Sequence, residues 1–127
     1  MKRLNFLLVF SCLGLCSLSA FAETREFNVN AVEMSNAKFW LPSSFTAKKG
    51  DTLLFHLKSK IKGKNNIHGF SIKDYGIEVL VDDQGVVKSK DPKNNGDVKF
   101  VADKVGIFEV RCHLHPGHVG GQLVVME

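Results

Sequence analysis

The fold and the site of this chain can be predicted from one short stretch, Cys112-His113-Leu114-His115-Pro116-Gly117-His118. It holds one thiol and three imidazoles, which are the ligand types that copper and zinc prefer. Two apolar segments that have the pattern of strands, residues 107–112 and 122–126, lie on either side of it. Because a short loop between two strands can direct several side chains at one point, we interpret the rest of the chain as a scaffold for this loop.

Three side chains of this loop have a spacing that suits a single metal ion. Cys112 ends one strand, His115 lies in the turn and His118 precedes the last strand. A chain that reverses within so few residues can bring such groups within about 2.0–2.3 Å of one ion. A fourth ligand has to come from elsewhere, and His68 has the right setting, at the start of a predicted strand after a polar loop. His113 is excluded, because neighbouring side chains of an extended backbone point to opposite faces.

Two other interpretations of these residues stay open. The loop can be free of metal, and a single histidine such as His68 or His56 is more often structural or exposed than a ligand. Cys112 with a histidine base also has the composition of a nucleophilic pair in a hydrolase. No glycine-rich turn from a strand into a helix accompanies the thiol, so this enzymatic interpretation is disfavoured.

The first residues have the pattern of an export signal. A basic start, Met1-Lys2-Arg3, precedes an apolar run over residues 4–18 and a small-residue cleavage pattern, Ala20-Phe21-Ala22. We therefore predict a cleaved signal peptide over residues 1–22 and one domain over residues 23–127, located in the periplasm or secreted. A membrane anchor is the alternative, but the apolar run is short for a span and no stop-transfer pattern follows it. No other stretch is apolar enough to predict a membrane span in the mature chain.

The three cysteines support the metal hypothesis. Cys12 and Cys16 lie in the predicted signal peptide; a lipoprotein would use one of them, but Leu15 is bulky where a small residue is expected before Cys16. Cleavage leaves Cys112 alone in an oxidising compartment, where it cannot form an internal disulfide. A bound metal would keep such a thiol deprotonated and engaged.

The predicted domain has the pattern of an all-β protein. Short segments alternate apolar and polar side chains, turn residues separate them, and helical periodicity is weak. We predict about seven to eight strands in a two-sheet β-sandwich with Greek-key connections, and a long loop or loose hairpin over residues 82–96. The chain has seventeen basic and thirteen acidic residues. Two of the basic ones, Lys2 and Arg3, lie in the predicted signal peptide, so the charges of the predicted domain nearly balance. Nucleic-acid binding is therefore not expected.

Residues 100–116 resemble the C-terminal signature of the cupredoxin family. The likeness is strongest to amicyanin- and plastocyanin-like members, whose short ligand loop has the pattern Cys-x-x-His-Pro-x-Met, followed by a glycine and a final apolar strand. The resemblance implies a cupredoxin-like Greek-key sandwich that binds copper through Cys112 and His115, with the family's first histidine at His68. His118 stands where the family has its axial methionine.

Residues 67–77 also resemble the red copper members of the family, the nitrosocyanins, which carry a glutamate where His68 stands. Together the two resemblances imply a variant mononuclear copper site with one thiolate and three imidazoles. A binuclear purple centre is excluded, because its second cysteine would fall on Pro116. Zinc suits the same ligands and is the alternative metal.

The resemblance implies an exported protein that carries electrons to or from a redox partner and is not an enzyme. Copper handling, in which the protein exchanges copper with a donor or acceptor, is the alternative; a small copper enzyme with an open coordination position is a third. Imidazole is a harder and stronger donor than a thioether, so His118 predicts a lower reduction potential and a green or red Cu(II) protein. Protonation of His118 at low pH would make this colour depend on pH.

Overall fold

The computed structural model describes residues 21–63, 66–89, 91 and 96–127. Most of the predicted signal peptide, including Cys12 and Cys16, therefore lies outside the described residues. Within the described ranges no helix is long or apolar enough to cross a bilayer. The same ranges contain one 3-10 turn, Lys73–Tyr75, and ten strands: β1 (Thr24–Met34), β2 (Ala37–Leu41), β3 (Ser44–Lys48), β4 (Thr52–Ser59), β5 (His68–Ile72), β6 (Ile77–Val81), β7 (Val86–Ser89), β8 (Val98–Val101), β9 (Gly106–Val110) and β10 (Gly121–Met126).

The strands form two layers, which confirms the predicted all-β sandwich. One layer is a four-stranded sheet in the order β2-β1-β4-β8. The other contains two three-stranded sheets, β3-β10-β9 and β5-β6-β7. These two meet where Ser71 of β5 and Arg111, just after β9, exchange backbone hydrogen bonds of 3.0 and 3.1 Å. The second layer is thereby continuous from β3 to β7.

The described strands outnumber the predicted seven to eight for two local reasons. Pro42 lacks an amide donor, so the extended segment around it divides into β2 and β3, which belong to different layers. The segment predicted as a long loop or loose hairpin contains β7, which pairs antiparallel with β6. This segment therefore contributes the second strand of a hairpin with β6, and its residues 90 and 92–95 lie outside the described residues.

Aromatic side chains fill the space between the layers. Leu53, Phe55 and Leu57 alternate along β4 and are all buried, as the sequence pattern predicts. The ring of Phe55 lies 5.1 Å from that of Phe45 on β3 and 5.5 Å from that of Phe70 on β5, measured between centroids. Close packing of such large rings fixes the separation of the two layers.

A buried carboxylate ties the start of β1 to the turn before β4. Asp51 is 1% exposed and accepts hydrogen bonds from the backbone amides of Glu23 and Lys48, each at 2.9 Å, and from the side chain of Arg25. These bonds, with that of Arg25 the strongest, lower the pKa of Asp51 to about 2. The carboxylate is therefore ionised and paired throughout the physiological pH range.

The edge strand β2 is anchored to β5 by a buried tryptophan. Every residue of β5 is buried. The indole Nε1 of Trp40 donates a hydrogen bond of 3.1 Å to the carbonyl of Gly69, and its ring packs edge-on against Phe70 with centroids 5.3 Å apart. This contact joins the two layers beside His68.

Candidate metal centre

Four side chains converge beside β5, namely those of His68, Cys112, His115 and His118. Taking one ligand atom from each residue, all four atoms lie within 4.8 Å of one another. His68 is the first residue of β5, and the other three belong to the loop between β9 and β10. The structure thus brings together the four residues that the sequence analysis predicted as ligands.

Backbone hydrogen bonds shape the loop between β9 and β10. The amide of His118 donates to the carbonyl of His115 at 3.0 Å, which closes a turn and stacks the two imidazoles with centroids 4.5 Å apart. The amide of Val119 donates to the carbonyl of Lys38 on β2 at 2.9 Å. The spacing of the two imidazoles is therefore set by the main chain and by attachment to the opposite layer.

His68 is a buried histidine whose ring nitrogens lack partners. Its side chain is 2% exposed, and neither Nδ1 nor Nε2 has a hydrogen-bond partner among the described residues. The ring lies 5.3 Å from that of His115 and 5.1 Å from that of His118. Leaving a buried polar atom unpaired costs about 1–3 kcal/mol, and a metal ion bound at one nitrogen would remove that cost. The donor set, one sulfur and three imidazole nitrogens, fits copper or zinc.

Cys112 faces the same centre and is 4% exposed. Its Sγ lies 3.4 Å from Nδ1 of His115 and accepts a hydrogen bond of 3.3 Å from the backbone amide of Gly69. A thiolate is the form of cysteine that binds metals, and an amide directed at its sulfur gives it a charge-assisted hydrogen bond. The contact of Gly69 with the sulfur was not predicted from the sequence, although a glycine directly after a candidate ligand was a signal that could have identified it.

Burial and nearby positive charge favour the neutral form of two histidines in the cluster. Desolvation, followed by the charges of His118, His115 and Lys38, lowers the pKa of His68 to about 4. Burial, and then the charges of His115 and Lys38, lowers the pKa of His118. Neutral imidazole is the form that binds a metal, so both side chains are suited to binding near neutral pH. No pattern in the sequence indicates that Lys38 lies near these histidines.

The burial of His68 predicts that the metal-free protein loses stability in mild acid. An unfolded chain protonates histidine below about pH 6.5, whereas the folded chain protonates His68 only near pH 4. The contribution of neutral His68 to the free energy of unfolding should therefore be fully present above about pH 6.5. It should be lost as the pH falls toward about 4, which lowers the free energy of unfolding by on the order of 2–3 kcal/mol. Urea denaturation of the metal-free protein at several pH values measures this decline.

Two variants make the origin of this decline testable. His68→Leu should make the decline clearly smaller, and His118, whose pKa is also lowered, accounts for the part that remains. His56→Gln should not make it smaller, because the pKa of His56 is raised rather than lowered. An equally steep decline in the His68→Leu protein would contradict the assignment to His68.

The remaining histidines lie apart from the cluster. The ring of His113 packs on Gly69, and its Nε2 lies 3.9 Å from Oε1 of Glu78. His56 is partly exposed on β4, with Nδ1 2.9 Å from Oδ1 of Asp97, and this hydrogen bond is the main cause of its raised pKa. Neither histidine belongs to the group of convergent ligand atoms.

Sequence comparison finds similarity to part of a larger enzyme. No protein-family model matches the chain. A segment of 78 residues is 32% identical to nitrous-oxide reductase from Ralstonia nicotianae and covers 61% of this chain and 11% of the reductase. Nitrous-oxide reductase from Cupriavidus necator is 34% identical over 68 residues, which cover 54% of this chain and 9% of that protein. The chain thus spans about a tenth of the length of these curated relatives.

Structural comparison finds copper proteins of the same architecture. Auracyanin A, a blue copper protein from Chloroflexus aurantiacus, has a TM-score of 0.57 and 13% identity over 80% of this chain and 98% of its own. Copper nitrite reductase from Nitrosomonas europaea has a TM-score of 0.58 and 20% identity over 81% of this chain and 41% of its own.

A third similar structure is the metal-binding domain of a Cu(I)-exporting P-type ATPase from Streptococcus pneumoniae. It has a TM-score of 0.51 and 17% identity over 84% of this chain and 95% of its own. A copper nitrite reductase, a blue copper protein and the metal-binding domain of a Cu(I)-exporting ATPase therefore share this architecture. On its strand order, its sandwich core and these likenesses, the chain has the cupredoxin fold.

Proposed function

We propose that this chain is an exported mononuclear copper protein that transfers electrons, with His68, Cys112, His115 and His118 as ligands. The observation that carries the proposal is the cluster of four convergent ligand atoms, in which His68 and Cys112 are buried and both nitrogens of His68 lack hydrogen-bond partners among the described residues. Copper, when bound, supplies a one-electron couple between Cu(II) and Cu(I). The fold is shared with proteins described as copper proteins, which supports copper over zinc.

The scaffold suits electron transfer because it restrains the ligand groups. His68 is held by a fully buried strand, and the sulfur of Cys112 is fixed by an amide of the same strand. Ligands that move little between two oxidation states keep the reorganisation energy small. Leu114 and Val119, 43% and 55% exposed, flank the ligand loop and offer an apolar surface for the close approach of a redox partner.

Copper handling is the second candidate function, and His118 is the observation that favours it. An imidazole in this position adds a fourth strong donor, which favours retention of the metal over rapid cycling. The shared fold with the metal-binding domain of a Cu(I)-exporting ATPase supports this alternative. In this role the partner would be a copper donor or acceptor.

Copper titration followed by voltammetry tests the proposal. The purified chain should bind one Cu(II) per molecule, resist displacement by Zn²⁺ and give a reversible one-electron wave at an electrode. The matched control is His56→Gln, a histidine outside the cluster, which should leave the stoichiometry unchanged. Slow, irreversible cycling with ready transfer of copper to an acceptor would favour copper handling. Binding of azide or nitrite to the metal would favour an enzyme, and failure to bind copper would exclude all three.

A further inference from the structure

His113 lies outside the ligand cluster but packs directly on the strand that carries His68. A Cβ atom built on Gly69 would lie 2.5 Å from Nδ1 and 2.6 Å from Cε1 of the His113 ring. Carbon atoms in a packed interior do not approach ring atoms this closely. The ring, whose side chain is 17% exposed, therefore occupies the space that any side chain at position 69 would need.

Hydrogen bonds to the backbone amide and to the backbone carbonyl of Gly69 also hold this residue in place. Its amide donates to Sγ of Cys112 at 3.3 Å, and its carbonyl accepts from Nε1 of Trp40 at 3.1 Å. The ring of His113 closes the third side, and Glu78 lies 3.9 Å from the far nitrogen of that ring. The peptide that contacts the candidate thiolate is thus enclosed by side chains from β2, β6 and the ligand loop.

We propose that His113 is a positioning residue that, by packing on Gly69, holds the Gly69 amide against the sulfur of Cys112. The inference rests on the proposed copper function. An N–H group directed at a thiolate withdraws electron density from the sulfur, which stabilises Cu(I) relative to Cu(II) and raises the reduction potential. The proposed role depends on the shape of the His113 ring, which fits against Gly69 because residue 69 has no side chain.

The test is a set of alanine variants, Gly69→Ala and His113→Ala, alone and combined. Gly69→Ala should displace the amide from the sulfur, lower the reduction potential and weaken Cu(I) affinity relative to Cu(II) affinity on the order of tenfold. His113→Ala should lower the potential less, because the amide is loosened but not displaced. The double variant should recover toward the parent protein, since the methyl group enters the space that the ring has left.

Two further variants separate packing from other effects. His113→Phe keeps an aromatic ring at this position and should retain the reduction potential of the parent protein. If the imidazole nitrogens were responsible, this variant would change the potential. Gly120→Ala is the matched control for glycine replacement, because it lies after the turn that carries the ligands and a Cβ at that position meets only ordinary contacts, at 3.5 Å or more. It should leave both spectrum and potential unchanged.

Thermal unfolding of the metal-free variants provides a readout that does not depend on copper. Gly69→Ala should lower the midpoint, and His113→Ala in the same chain should restore it. Parent-like behaviour of Gly69→Ala would overturn the inference, and so would a double variant that folds or binds copper no better than Gly69→Ala. If the parent protein does not bind copper, the proposed function is wrong. The thermal midpoints of Gly69→Ala and of the double variant would still test the contact between His113 and Gly69.

Discussion

Replacement of Cys112 by serine is expected to abolish the strong visible absorption of the Cu(II) protein. That absorption arises from transfer of charge from a thiolate to copper, and a serine hydroxyl cannot supply it. The sulfur also provides the soft donor that copper prefers, so Cu(I) affinity should fall by about a hundredfold or more. Optical and paramagnetic resonance spectra of both proteins, with a competitive chelator titration, measure the two effects.

The control for this prediction has to exclude loss of the fold. Serine is close to cysteine in size, but it adds a polar group at a site that is 4% exposed and should cost about 1–3 kcal/mol. Circular dichroism of the metal-free variant tests whether the sandwich persists. His56→Gln, which alters a histidine outside the cluster, should keep the full absorption. A Cys112→Ser protein that retained the band would refute thiolate ligation.

The loop part of the centre could be predicted because its geometry is local. Cys112, His115 and His118 follow one another within a single reversal of the chain, and the turn is closed by one backbone hydrogen bond between the two histidines. His68 is distant in sequence and reaches the cluster through pairing of β5 at Ser71 with the residue after β9. Only its setting after a polar loop, together with the family resemblance, indicated it.

The surroundings of the centre could not be predicted, because they depend on contacts between the two layers. Trp40 and Gly69 are 29 residues apart, and no periodicity within β2 or β5 indicates that their indole and carbonyl groups meet. Lys38 acts on His118 only because β2 is attached to the ligand loop through Val119. Alternation of side chains predicts strands and their buried faces, but strand order arises from packing of the whole sandwich.

Replacement of His118 by methionine is expected to raise the reduction potential and turn the Cu(II) protein blue. A thioether is a weaker donor than imidazole, so copper would be held mainly by Cys112, His115 and His68, and Cu(I) would be stabilised relative to Cu(II). We expect a rise of at least about 60 mV, which corresponds to a tenfold change in the ratio of Cu(I) to Cu(II) affinity. Voltammetry and the copper hyperfine splitting measure the change.

The pH dependence of the colour distinguishes ligation by His118 from mere proximity. Burial and the charges of His115 and Lys38 already lower the pKa of His118, and a bound metal would lower it further. The parent protein should therefore keep its green or red colour at neutral pH and shift reversibly toward blue in acid, as His118 protonates and leaves the metal. The His118→Met protein has no such group at this position and should keep one spectrum over the same range. If the parent protein is blue at neutral pH and has the same spectrum as its methionine variant, His118 is not a ligand, and the ligand set consists of His68, Cys112 and His115.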